Sequence, residues 1–132
     1  MAILIDTSVI VDLERAAAMP DLAAFEGESA FISAISASEL LHGVERAADE
    51  ARRARRQAFV ERVLDHVPVL PFDLDAARVH ARIWAGLLRR GEVIGAHDLI
   101  IAATALSRGL VVLTRNTREF ARIEGLSLRG VK

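Results

Sequence analysis

The chain has 132 residues, of which 52% are hydrophobic, and its formal net charge is −1. This size predicts one domain, residues 1–132, and the near-neutral charge excludes a generally basic nucleic-acid binder. Because there is no cysteine, disulfides and thiolate metal sites are excluded too. The sequence shows no membrane-spanning run and no signal-peptide pattern, so we expect a cytoplasmic protein with no membrane partner.

The first half of the chain alternates apolar runs with helical patterns. Its predicted elements are, in order, a strand at 2–5, a helix at 8–14, a connection at 20–27 with room for a turn of helix, a strand at 30–33, and helices at 36–46 and 50–65. The last of these helices is very polar and carries an arginine cluster, Arg52, Arg53, Arg55 and Arg56. This cluster is either a solvated face or an edge that contacts phosphate or a protein partner.

The second half continues the alternation. Its predicted elements are an extended segment at 67–72, a helix after Asp73, a loop at 91–95, an apolar helix at 98–108, a strand at 110–113 and a weak strand candidate at 126–128. Pro68 and Pro71 place the extended segment at a sheet edge. The helix after Asp73 carries one apolar stripe, for which we predict core or interface packing: Leu74, Ala77, Ala81, Trp84 and Leu88. Strands that alternate with helices predict an α/β fold with a mainly parallel sheet.

Three acidic residues occupy similar places in this pattern. Asp6 follows the first strand directly, whereas Glu39 and Asp98 are predicted to open helices. Each has a structural explanation, because Asp6 precedes a helix and Asp98 lies in a first helical turn. Ser36 to Glu39 also matches a capping box. Parallel strands, however, deliver such positions to one sheet edge, and carboxylates gathered there repel one another unless a cation lies between them.

The types of side chain indicate which cation this would be. Carboxylates without cysteine, and without a histidine pair at zinc spacing, favour Mg²⁺ or Mn²⁺. Such an ion lowers the pKa of a bound water and offsets charge on a phosphoryl oxygen, which suits a nuclease or a phosphatase. After the last strong strand, Thr114 and Asn116 could hydrogen-bond a metal-bound water and Arg115 could contact a phosphate. Threonine and asparagine are also ordinary turn and cap residues.

Taken together, these residues resemble a known family. The matching segments are Ile5-Asp6-Thr7-Ser8-Val9-Ile10, Ser38-Glu39-Leu40 with His42-Gly43, 95–105, Thr114-Arg115-Asn116 and Arg118-Glu119-Phe120. In this order they resemble PIN-domain ribonucleases, and more narrowly the VapC-type toxins of bacterial toxin–antitoxin systems. The resemblance covers nearly the whole chain and implies a single PIN domain. It also implies a three-layer sandwich, in which helices flank a short, mainly parallel sheet.

The resemblance also implies the site. Asp6, Glu39 and Asp98 resemble the family's metal-binding acids, and Asn116 falls where a fourth acid is often found. An amide there predicts one well-held metal, Mg²⁺ or Mn²⁺, rather than two. Glu119 could supply the missing carboxylate, but it ranks lower because it lies at a predicted helix start. The residues predicted to contact or frame the substrate are Thr7, Ser8, Thr114 and Arg115; Thr7 or Ser8 resembles the hydroxyl that supports the first aspartate.

The function implied is that of a metal-dependent endoribonuclease toxin. Its implied partners are an RNA substrate, a VapB-type antitoxin and a second copy of the chain. Two alternatives stay open at this point. One is an acidic-site phosphatase, which is weakened because Ser8 stands where a second aspartate would be expected and because Lys132 is the only lysine. The other is a non-catalytic PIN-like module that binds RNA or a partner.

Overall fold

A computed structural model describes residues 2–16 and 29–131 of the chain. The helices and strands are, in chain order, β1 (Ala2–Ile5), α1 (Thr7–Arg15), β2 (Ser29–Ser33), α2 (Ala34–Glu45), α3 (Glu50–His66), β3 (Val69–Leu70), α4 (Leu74–Arg89), α5 (Ala96–Ser107), β4 (Val111–Thr114), α6 (Thr117–Phe120) and β5 (Leu128–Gly130). The predicted elements are confirmed with shifts of a few residues at their ends. The connection predicted at 20–27 lies outside the described residues.

The five strands form one sheet in the order β3-β2-β1-β4-β5, and every pairing is parallel. The α/β prediction is therefore confirmed, and β3, the segment that contains the prolines, lies at one edge. Successive side chains of a strand point to opposite faces of the sheet. Helices cover both faces. Ile3 and Ile5 pack with α1, α2 and α3, whereas Leu4 packs with α5 and α6. This arrangement is the predicted three-layer sandwich.

The connections after β1 and β4 diverge. These two strands are neighbours, with Ile5 paired to Leu113, but α1 packs on one face of the sheet and α6 on the other. The divergence opens a crevice beyond the carboxyl ends of both strands, which is where open α/β sheets place their sites. Asp6 and Thr114 lie at the base of that crevice, one directly after β1 and the other as the last residue of β4.

The start of α2 differs from the prediction. The helix begins at Ala34, and its cap is Ser33, whose hydroxyl accepts a hydrogen bond from the backbone N–H of Ser36 at 3.1 Å. The capping box predicted from Ser36 to Glu39 is therefore wrong. The sequence holds two overlapping three-residue spacings that suit a cap, and the earlier one, from Ser33 to Ser36, forms. Glu39 consequently lies in the second turn of α2, where its carboxylate has no capping role.

The apolar stripe predicted for α4 does not face the core, so the core alternative is wrong and interface packing stays a prediction. Leu74, Trp84 and Leu88 are 66%, 53% and 67% exposed. The face of α4 that packs inward instead carries Ala76 and Leu87, both at most 2% exposed. This helix has apolar residues on two faces, and spacing alone does not show which of them the core takes. Within the described residues, no helix is long and apolar enough to cross a membrane.

Candidate active site

Asp6 is fixed in place by hydroxyl groups. Its side chain is 2% exposed, and its Oδ2 accepts hydrogen bonds from the hydroxyls of Ser8, at 2.6 Å, and Thr114, at 2.8 Å. Thr114 is fully buried, and its hydroxyl also accepts from the backbone N–H of Asn116 at 2.9 Å. Of the two hydroxyls that could support this aspartate, the structure thus selects Ser8 over Thr7. Thr114 likewise supports Asp6 from within the protein.

Glu39 reaches the same crevice from α2. The Thr7 hydroxyl lies 2.9 Å from Glu39 Oε1 and 2.8 Å from Ser36 Oγ. Because an ionised carboxylate only accepts, Thr7 donates to Glu39 and can accept from Ser36. On its other side, Glu39 Oε2 lies 3.6 Å from His97 Nδ1. A chain of hydroxyls thus orients Glu39, and a histidine that the sequence analysis did not assign to the site lies beside it.

Asp98 shows most directly that the acids form one electrostatic group. It lies in the first turn of α5, and its pKa is raised from 3.8 to about 6. The largest cause is burial, followed by the negative charges of Asp6, Glu119 and Glu39 and by a side-chain hydrogen bond with Glu119. Four carboxyl groups, one directly after β1 and the others in α2, α5 and α6, therefore act on one another. They are up to 113 residues apart in the sequence, which is the separation of Asp6 and Glu119.

Asp6, Glu39 and Asp98 border a cleft of about 450 Å³. Its walls are formed by Asp6, Thr7, Ser8, Val11, Asp12, Arg15, Glu39, Asp98, Arg115 and Asn116. All three predicted metal ligands are among them. So are three of the four predicted substrate residues, and the fourth, Thr114, lies beneath Asp6.

The fourth corner of the site, where the family often has a fourth acid, has two candidates here, Asn116 and Glu119. Both lie close to the three acids, but in different ways. Asn116 borders the cleft, but its side chain makes no hydrogen bond that caps α6. Glu119 is one turn further on and turns back towards α5, where it bonds to Asp98 and accepts the Gly95 N–H at 3.1 Å. Glu119, which was ranked below Asn116 because it lies at a predicted helix start, thus contacts one of the three acids directly, and which of the two residues completes the site stays a prediction. A helix of four residues, directly after β4, is short enough to bring that side chain back to the acids.

The donor set fits a hard divalent cation. Within the described residues, no group of three or more His, Asp or Glu side chains already stands in metal-ligating geometry. The pKa of Asp98 is raised because this group is partly buried among other carboxylates, and a cation held there would offset that repulsion. Nearby carboxylates in a polar cleft therefore match the ligand class that Mg²⁺ and Mn²⁺ prefer.

Two charged residues of α1 were missed by the sequence analysis. Asp12 and Arg15 border the cleft together with Ser8 and Val11. Their spacing of three or four residues places them on one face of a helix, so the signal was present in the sequence. Arg115 forms an ion pair with Asp12 at this rim. The arginines at the end of α4, Arg89 and Arg90, border a separate hollow and do not line the cleft.

Comparison with known proteins places this arrangement in a family. The model of the PIN domain family matches residues 3–126. Ribonuclease VapC1 of Rickettsia felis is 40% identical over 128 residues, which cover 97% of this chain and 95% of the relative. The chain belongs to the PIN-domain family, within its VapC group.

Other relatives agree with that placement. The tRNA(fMet)-specific endonuclease VapC of Salmonella typhimurium is 41% identical over 97 residues, or 74% of this chain and 71% of the relative. Among solved structures, the DNA-bound VapBC of the same organism matches with a TM-score of 0.88 and 32% identity, covering 98% of both chains. The resemblance stated from the sequence is thereby confirmed, and so is the PIN-type fold.

Proposed function

We propose that this PIN domain is an endoribonuclease toxin that hydrolyses RNA phosphodiesters with the help of Mg²⁺, for which Mn²⁺ substitutes. The observation that carries the proposal is the coupling of Asp98 to the carboxyl groups of Asp6, Glu39 and Glu119. Natural proteins rarely gather uncompensated acids at the end of a sheet unless a cation is to be held there. The VapC relatives are named as a ribonuclease and a tRNA-specific endonuclease, which supports RNA as the substrate.

Each residue of the cleft has a defined part in this proposal. Asp6, Glu39 and Asp98 hold the metal ion, which when bound supplies a water of lowered pKa and positive charge next to the phosphoryl oxygens. Ser8 and Thr114 hold Asp6 still, so that the metal-binding carboxylate does not need to reorganise. Asn116 borders the cleft and can orient a water through its amide.

We propose one well-held metal rather than two. Three of the acids are fixed by contacts within the protein: Asp6 by two hydroxyls, Glu39 by Thr7, and Asp98 by Glu119. Asn116 adds no charge at the fourth corner. Glu119 brings a fourth carboxyl, but it shares its hydrogen bond with Asp98, so we assign to it the support of that ligand.

The proposed partners follow the relatives. The structural neighbour from Salmonella typhimurium is a VapBC assembly, which supports a VapB-type antitoxin for this chain. We also propose a homodimer, as the resemblance implies. Of the alternatives, the non-catalytic module is less favoured because the acids, their supporting hydroxyls and the cleft are all in place. The phosphatase is less favoured because every named relative cited above is a nuclease.

The proposal is tested by RNA cleavage with the purified protein. We expect a panel of transcripts, with initiator tRNA among them, to be cut in the presence of Mg²⁺ or Mn²⁺, left intact with chelator and cut again when the metal is restored. Protein with Asp6→Asn, purified in parallel, controls for contaminating nuclease. Cleavage that persists in chelator, or that the Asp6→Asn protein retains in full, would contradict the proposal.

A further inference from the structure

The wall of the cleft formed by α1 carries charges that metal binding does not use. Ser8, Asp12 and Arg15 follow one another at spacings of four and three residues, and all three border the cleft. Arg115 lies on the same wall, directly after β4. Two arginines and one aspartate thus stand beside an acidic centre that would otherwise repel the phosphates of an approaching RNA.

Arg115 is held to α1 at both of its ends. Its backbone N–H donates to the hydroxyl of Ser8 at 3.3 Å, and its guanidinium pairs with the carboxylate of Asp12. Ser8 and Asp12 are one helical turn apart, so a rigid helix sets both attachments. Within the part of the chain that the structure describes, the pairing involves a single guanidinium nitrogen, and the Arg115 side chain is 49% exposed. With respect to these residues, its remaining donors are open to a ligand that enters the cleft.

The ion pair with Asp12 also gives Arg115 an alternative to contact with the metal-binding carboxylates. An unrestrained arginine at the rim of a cluster of carboxylates would be drawn onto those carboxylates, because opposite charges at short range attract strongly. Asp12 offers Arg115 a partner on α1 instead. Arg15 adds a second cation one turn further along, and within the described residues it forms no ion pair.

We propose that Arg115 and Arg15 form a binding site for a backbone phosphate of the RNA next to the cleaved bond, and that Asp12 is a positioning residue that holds Arg115 there. The planar guanidinium suits a phosphate because two parallel N–H groups can meet two of its oxygens. The inference rests on the proposed nuclease function but concerns substrate affinity alone. Metal binding and the chemical step belong to the acids.

The test compares cleavage kinetics for Arg115→Ala, Asp12→Asn and the double variant, with Arg118→Ala as control. Arg118 carries the same charge three residues later but borders a different hollow. We expect Arg115→Ala to raise KM about tenfold and Asp12→Asn about threefold, with kcat within about a factor of two. Because Asp12 acts through Arg115, the double variant should match Arg115→Ala. Asp12→Glu should restore most of the affinity, and Arg118→Ala should leave KM unchanged.

Two further measurements separate this inference from the proposed function. The slope of log KM against log salt should become shallower by about 0.7 in Arg115→Ala, the effect of one lost phosphate contact with a single strand. Stabilisation by Mn²⁺ against thermal unfolding should be the same in every variant. Unchanged KM in Arg115→Ala, or effects of the two substitutions that add, would overturn the inference and leave the nuclease function standing. A wild-type protein that neither binds nor cleaves RNA would overturn both.

Discussion

Replacing Asp98 by asparagine is expected to stabilise the metal-free protein while reducing RNA cleavage about 100-fold to 1,000-fold, the loss typical of removing one electrostatic group from an active site. Both effects have one cause. The pKa of Asp98 is raised from 3.8 to about 6 because the group is partly buried among like charges. Near neutral pH the folded protein must therefore hold an unfavourable carboxylate at this position, and an asparagine does not impose that cost.

The pH dependence of stability follows from the direction of this shift. Because the pKa is higher in the folded protein than in the unfolded chain, the folded state binds more protons between about pH 4 and pH 6. The stability that Asp98 contributes in its protonated form is fully present below about pH 4 and is lost as the pH rises through about 6. Asp98→Asn should remove this loss, so its advantage should grow between about pH 4 and pH 6 and be nearly complete above that range.

The increase in the free energy of unfolding expected for Asp98→Asn follows from the size of the pKa shift. Each unit of pKa shift corresponds to about 1.4 kcal/mol, but the group is only partly buried, so we expect about 1 to 2 kcal/mol near neutral pH. Denaturant unfolding in chelator, at acidic and at neutral pH, measures this free energy. Glu61→Gln, which removes an exposed acid of α3, serves as control. Asp98→Asn protein that is less stable than the wild type at neutral pH would contradict the electrostatic account of the cleft.

Glu119→Gln is the second substitution with a large expected effect. Glutamine can still accept the Gly95 N–H through Oε1, but it removes a negative charge that helps to raise the pKa of Asp98. We expect kcat near neutral pH to fall about 10-fold to 100-fold, as is usual when the partner of a metal ligand is lost. The acid limb of the pH–rate profile should move to lower pH, because Asp98 then loses its proton more readily.

Asn116→Ala is the matched comparison for this variant. Both residues follow β4 and compete for the fourth corner, but only Glu119 bonds to Asp98. We therefore expect Asn116→Ala to reduce kcat only about threefold, the effect of one neutral hydrogen bond. If Asn116→Ala were the more damaging of the two, or if the acid limb of Glu119→Gln stayed in place, the fourth corner would belong to Asn116.

The sequence was sufficient for the fold and for the three main acids. Short apolar runs such as 2–5 and 110–113, in a chain that alternates them with helices, predict strands inside a parallel sheet. Once the sheet is parallel, the residue after a strand reaches its carboxyl edge, which places Asp6 there. Asp98, 92 positions later, follows a helix and a loop instead, so it was paired with Asp6 by its place at a predicted helix start and by the resemblance to PIN domains.

The errors arose where a local pattern permits two solutions. Two overlapping cap spacings start α2, and only the packed structure selects Ser33. Two apolar faces run along α4, and only the neighbouring α5 decides which one is buried. Glu119 was ranked below Asn116 because of its predicted helix start, and its contacts with Asp98 and Gly95 depend on the packing of α6, which spacing does not reveal. Asp12 was overlooked although its spacing from Ser8 and Arg15, which places all three on one face of a helix, can be seen in the sequence.

The most direct test of the account is a titration with Mn²⁺ followed by electron paramagnetic resonance, which counts the ions bound by the protein without requiring any knowledge of the RNA. We predict one tightly bound Mn²⁺ per chain in the wild type, competition by Mg²⁺, and loss of that site in both Asp6→Asn and Asp98→Asn. Arg115→Ala should bind the ion normally. If no Mn²⁺ binds, or if it binds equally well after Asp6→Asn, the three acids do not form a metal site.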